Sequence, residues 1–138
     1  MSGPGLKHVD SHSSIHEAAL NEAIELNEII TKLFEVNEFD KALEVAYVAV
    51  EHWETRTLKH AEEEEKGLYK ELVDTSPDLK EDIIRLTRDH DLLRILVNEI
   101  KELLKKEGIN EMVLQKLYSL VHVDLIHNAT EEKILPEH

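Results

Sequence analysis

Helix-breaking residues sit at only a few places along this chain, and that limits its fold more than any other feature. Proline occurs at 4, 77 and 136, and glycine at 3, 5, 67 and 108. Between those points Leu, Glu, Lys, Ile and Ala dominate, residues that lose little freedom in a helix. The punctuation predicts four helices. Ser14 and Glu17 have capping-box spacing and start the first, which runs to about Glu35. A turn at 36–39 leads to the second, about Asp40 to Val73, which Thr75-Ser76-Pro77 closes. Pro77 suits the first position of the third helix, and Gly108 its end. The fourth runs from about Asn110 to Leu135 and is stopped by Pro136. Short connections between long helices favour an all-α, up-down-up-down antiparallel four-helix bundle. It would be one domain over 1–138, with residues 1–13 as a loosely ordered arm.

Composition removes several function classes. A net charge of −14 argues against nucleic acid or anionic membrane as a partner, because phosphate binding needs a basic face. The chain has no mostly apolar run of membrane-spanning length. Its start, MSGPGLKHVDSHSS, has no apolar segment of the secretory kind, so a cytoplasmic location is expected. Without cysteine there is no disulfide, thiolate metal site or thiol nucleophile. Any metal must therefore be held by His, Asp and Glu, and nine histidines is a high count.

Each predicted helix carries an apolar stripe at helical spacing, and each stripe includes a histidine. The first reads His16, Ala19, Ala23, Leu26, Ile30, Leu33. The second reads Leu43, Tyr47, Val50, Trp53, Thr57, His60, Glu64, Leu68, Leu72. The third is Ile83, Leu86, His90, Leu93, Val97, Ile100, Leu104, and the fourth is Val113, Leu117, Leu120, Asp124, His127, Glu131, Leu135. In two helices a glutamate follows the histidine by one turn. HAEEEEKGL at 60–68 and HNATEEKIL at 127–135 share H-x-x-x-E-E-K-x-L, so the chain reads as two similar hairpins.

Counting from the turns gives the level of each residue, since every helix rises equally per residue. His16 and His60 each lie about 22 residues from the first turn, and His90 and His127 about 18 and 19 from Gly108. All four histidines, with Glu64 and Glu131, then fall in one cross-section of an antiparallel bundle. A buried carboxylate costs several kcal/mol unless paired or coordinated, and two facing each other repel. Two cations reverse that sign: carboxylates bridge them and imidazoles complete each shell. Mixed imidazole and carboxylate ligation suits iron, manganese or zinc better than calcium or magnesium.

These residues carry a resemblance. HEAAL at 16–20, LKHAEEEEKGLY at 58–69, RDHDLL at 88–93 and LIHNATEEKILP at 125–136 resemble the hemerythrin-like, or HHE cation-binding, domains over about His12 to Pro136. The resemblance implies two non-haem iron ions with bridging glutamates and terminal histidines, and with an oxo or hydroxo bridge. By position it gives ligand roles to His16, His60, Glu64, His90, His127 and Glu131. It also implies dioxygen, peroxide, nitric oxide or iron itself as the species bound or sensed. Two departures separate this chain from the oxygen carriers of the family. Arg94 stands where they place a second histidine on the third helix, and His127-x-x-x-Glu131 replaces their His-x-x-x-x-Asp. The site thus resembles the broader group, whose members include iron and oxygen sensors. Alternatives are an enzyme using the same metals for peroxide removal or ferroxidase-type oxidation, and a structural zinc bundle that docks a partner.

The remaining polar residues take plainer roles. His12, one turn before His16, is the alternative ligand on the first helix, and Glu132 is an alternative beside Glu131. His122 is rotated by about 140° from His127 and ranks below both, and His52 is a solvated or bundle-seam residue. His8 and His138 are tail residues. Glu62, Glu63 and Glu65 form the charged outer face, with Glu63 or Glu65 at the edge of the site. Trp53 and Tyr47 are core filler.

Overall fold

The computed structural model describes residues 4–135, with side chains from Ser14 onward. The chain is all-helical, and no strand occurs among the described residues. Helix α1 spans Pro4–Glu35 and α2 Phe39–His52. A π-helical turn over Trp53–Leu58 joins α2 to α3, Lys59–Lys66, and a break at Gly67 separates α3 from α4, Leu68–Thr75. A 3-10 turn at Pro77–Leu79 then leads into α5, Lys80–Glu107, and α6 covers Glu111–Ile134. Helix α1 packs on α2, α2 on α5, α5 on α6, and α6 back on α1, which closes a ring of helices around one interior.

Where the punctuation is unambiguous, the helices end as expected. Gly108 takes φ 75°, the left-handed conformation that glycine adopts at little cost. Asn110 caps α6, its side chain accepting from the Val113 amide at 3.0 Å. Two expectations are corrected. Helix α1 begins at Pro4 and not at Ser14, so the Ser14–Glu17 box is interior to a helix. Nothing between Lys7 and Ser14 interrupts the helix, and a proline at its first position gives up no backbone bond. Pro77 opens the 3-10 turn, with α5 starting three residues later. Pro136, the expected stop of the last helix, lies outside the described residues.

The second helix departs most from a regular stripe. Of the expected inward residues Val50 and Trp53 are buried and Leu43 packs against the core, but Tyr47 is 45 % exposed, and Ala42, Ala46 and Ala49 lie inward at 0 % exposure. A π turn holds one residue more than an α turn, so upstream of it the inward face also takes in residues one position before the expected stripe. The small alanines let α1 approach α2 closely. Gly67 causes a second slip. A Cβ there would stand 3.3 Å from the Glu63 carbonyl oxygen, and past this break Tyr69 is fully buried while Leu68 packs at the edge of the same cluster.

The apolar interior is in two parts. The larger holds Ile30, the α2 alanines, Trp53, Leu93, Val97, Leu117 and Leu120; the smaller holds Tyr69, Leu72, Ile83 and Leu86. On α5, Leu86 belongs to one and Leu93 to the other, and His90 lies between them. A polar layer divides the core at that level.

This packing predicts that Ala46→Leu destabilises the protein by roughly 1–3 kcal/mol through overpacking. Tyr47→Ala should stay within about 0.5 kcal/mol of the parent in chemical denaturation. The opposite ranking would restore the unbroken stripe.

Candidate metal centre

The dividing layer consists of the six residues that counting along the helices brings to one level. His16 comes from α1, His60 and Glu64 from α3, His90 from α5, and His127 and Glu131 from α6. Glu64, His90, His127 and Glu131 are all at most 4 % exposed, whereas the His16 and His60 side chains keep 15 % and 22 % exposure.

The atoms fall into two sets joined by the carboxylates. In the inner set, Glu64 Oε1 is 3.3 Å from His90 Nε2, His90 Nε2 is 3.2 Å from His127 Nε2, and His127 Nε2 is 3.4 Å from Glu131 Oε2. In the outer set, Glu64 Oε2 is 3.9 Å from Nε2 of both His16 and His60, and Glu131 Oε1 is 3.5 Å from His16 Nδ1. Glu64 thus turns one oxygen toward each pair of histidines, and Glu131 turns one toward the inner pair and the other toward His16.

Residues outside the six orient them. His90 Nδ1 lies 2.7 Å from Glu65 Oε2, and His127 Nδ1 lies 3.0 Å from Asp89 Oδ2. A carboxylate on Nδ1 keeps the proton there and leaves the Nε2 lone pair facing the centre, the usual outer arrangement of a metal-binding histidine. Arg94 donates to Glu65 at 2.7 Å and to Asp91 at 2.9 Å, anchoring α3 to α5. The Tyr69 hydroxyl donates to Glu131 Oε2, and its ring stacks on His90 with centroids 5.6 Å apart and planes 4° from parallel. Asp124 is also buried, one turn before His127 on the same helix face.

Electrostatics follow from this crowding. Burial works against a charged His127 ring, but Glu131, Asp89 and Glu64 more than offset it and raise its pKa from 6.5 to about 9. Burial pushes Asp124 up to about 6 against the pull of His127 and His90. Burial and the charges of Glu131 and Glu64 hold the Tyr69 phenol well above its ordinary range.

The other candidates lie elsewhere. His122 and Glu132 are exposed, and His12 falls outside the residues whose side chains are described. His52 sits in the seam between α1 and α2, its Nε2 2.8 Å from the Ala19 carbonyl oxygen. Glu62 pairs with Lys66 at 2.7 Å on the surface, as an ordinary helix face does. The sequence pattern marks no role for Tyr69, Asp89 or Asp124 and places Glu65 at the edge of the site. The isolated Gly67 inside a helical run was the signal for Tyr69, and the Asp pair around His90 was the signal for Asp89.

The donor set fits a transition-metal ion. Nitrogen and oxygen donors at 2.0–2.1 Å from a tetrahedral ion stand about 3.3 Å apart, the spacing of the inner set. The sequence model of the Hemerythrin HHE cation binding domain matches residues 8–137, and the chain belongs to that family. That family implies cation binding, and this cluster could hold the metal. No curated protein and no solved structure matched the chain.

Proton linkage makes a prediction here. With His127 raised to about 9 from 6.5, the folded metal-free protein holds a proton that the unfolded chain has released. That stabilisation is complete below pH 6.5 and is lost as pH rises through 9. The melting temperature of metal-free protein should fall across this window, and the stabilisation given by added metal should grow, because the metal displaces the proton. A flat or rising melting temperature in calorimetry would contradict the assignment.

Proposed function

We propose that this protein holds a carboxylate-bridged pair of iron ions within an up-down-up-down antiparallel bundle. In the cytoplasm it would use them to bind or sense dioxygen or a similar small ligand such as peroxide or nitric oxide. The observation that carries this reading is the division of the two glutamates. Glu64 and Glu131 each direct one oxygen to the His90/His127 pair and the other to the His16/His60 side. A single ion would leave half of these donors without a use.

When bound, the iron pair supplies a redox-active place for the small ligand. The chain does the rest. Glu65 and Asp89 fix the tautomers of His90 and His127, and Tyr69 orients Glu131 through its hydroxyl. The apolar clusters on either side of the layer keep water away and strengthen each electrostatic contact. The partial exposure of His16 and His60 marks that side as the approach from solvent.

A structural zinc ion is the second reading, favoured by one observation: the inner set's 3.2–3.4 Å separations suit a four-coordinate ion. Elemental analysis and the oxidised visible spectrum separate the two. Protein from iron-supplemented cells is expected to carry about two irons per chain, following the two donor sets. It should show charge-transfer absorption in air, and both properties should be lost in Glu64→Ala. Zinc without visible absorption, or iron content unaffected by Glu64→Ala, would contradict the iron reading. Stopped-flow mixing with oxygen and then peroxide distinguishes reversible binding from turnover.

A further inference from the structure

The two donor sets differ in three independent ways. The first is spacing. Inner separations of 3.2, 3.3 and 3.4 Å already suit an ion, whereas the outer set has one of 3.5 Å and two of 3.9 Å, the latter about half an ångström too wide. His16 turns Nε2 to Glu64 and Nδ1 to Glu131, so its ring must reorient before one nitrogen can serve one ion.

The second is solvent. The inner imidazoles are 2 % exposed. The outer ones are 15 % and 22 % exposed. Preorganised donors bind more tightly, because the cost of ordering them is met in folding.

The third is the backbone. Inner histidines stand on α5 and α6, which run unbroken through the site. His60 stands on α3, eight residues long, with the π turn at one end and the Gly67 break at the other. A short segment between two irregular joints opens more easily than the middle of a long helix. Arg94, outside the six, and His90, one of them, both hold it through Glu65.

We propose that the positions fill in order. The His90/His127 position takes the first divalent cation tightly, and the His16/His60 position is the exchangeable one that responds to the supply of metal. This inference rests on the two-ion reading above. In physical terms, an ion held by Glu64 Oε1 and Glu131 Oε2 would leave their other oxygens for the outer position. Filling that position would have to close the 3.9 Å separation between His16 on α1 and Glu64 on α3.

The test is a titration of full-length metal-free protein with Co2+, followed by calorimetry and by the visible ligand-field spectrum. Two equivalents should bind in separate phases, with dissociation constants at least about tenfold apart. A chelator added to the loaded wild-type protein should remove one equivalent quickly and the other slowly, a readout that needs no variant. His60→Ala should abolish the weak phase and keep the tight one, and His127→Ala should abolish the tight phase. Two equivalents with equal affinity, or release of both at one rate, would overturn the ordering while leaving the two-ion reading standing. So would a tight phase lost in His60→Ala and kept in His127→Ala. A total of one equivalent or none would overturn the two-ion reading itself.

Discussion

The structure turns on two carboxylates that the fold buries opposite each other. Glu64 and Glu131 are at most 4 % exposed in a layer between two apolar clusters, and like charges so placed disfavour each other. Most of the polar architecture around them can be understood as an answer to that repulsion. Four imidazoles converge on the pair, a phenol donates to one of them, and two further carboxylates stand behind the inner rings to hold their protons outward. A cation between the glutamates turns a destabilising layer into a cohesive one, which ties metal binding to the stability of the bundle.

The same need accounts for departures from regular helix. The element bearing HAEEEEKGLY must satisfy two demands along its length. Its first half packs alanines against α1, and its second half turns His60, Glu64 and then Tyr69 inward. One α-helical phase does not serve both. The π turn at Trp53–Leu58 and the break at Gly67 each shift the inward face, and the ligand-bearing segment is what lies between them.

Much of this was legible in the sequence, for a definite reason. Helices α5 and α6 contain no irregularity, so every inward residue expected from Ile83 to Leu104 and from Val113 to Glu131 is buried. The common level of the six residues follows from constant rise, and the structure does gather them. What sequence periodicity missed depends on phase shifts or on reach between helices. The exposure of Tyr47 and the burial of the alanines beside it are not legible because a π turn leaves no mark in composition. Tyr69 was hidden by the Gly67 slip. Asp89 serves a histidine on another helix, and Glu65 reaches His90 across the α3–α5 interface, contacts that spacing along one helix does not encode. The helix start was misjudged because Ser14 and Glu17 have capping chemistry but no helix end to cap.

Bridging of two ions by Glu64 and Glu131, as proposed, is read most directly by X-ray absorption at the iron edge of the reconstituted protein. Nitrogen and oxygen scatterers are expected near 2.0–2.2 Å with a second iron within about 4 Å, lost in Glu131→Ala. Iron with a full nitrogen and oxygen shell but no iron neighbour would contradict it.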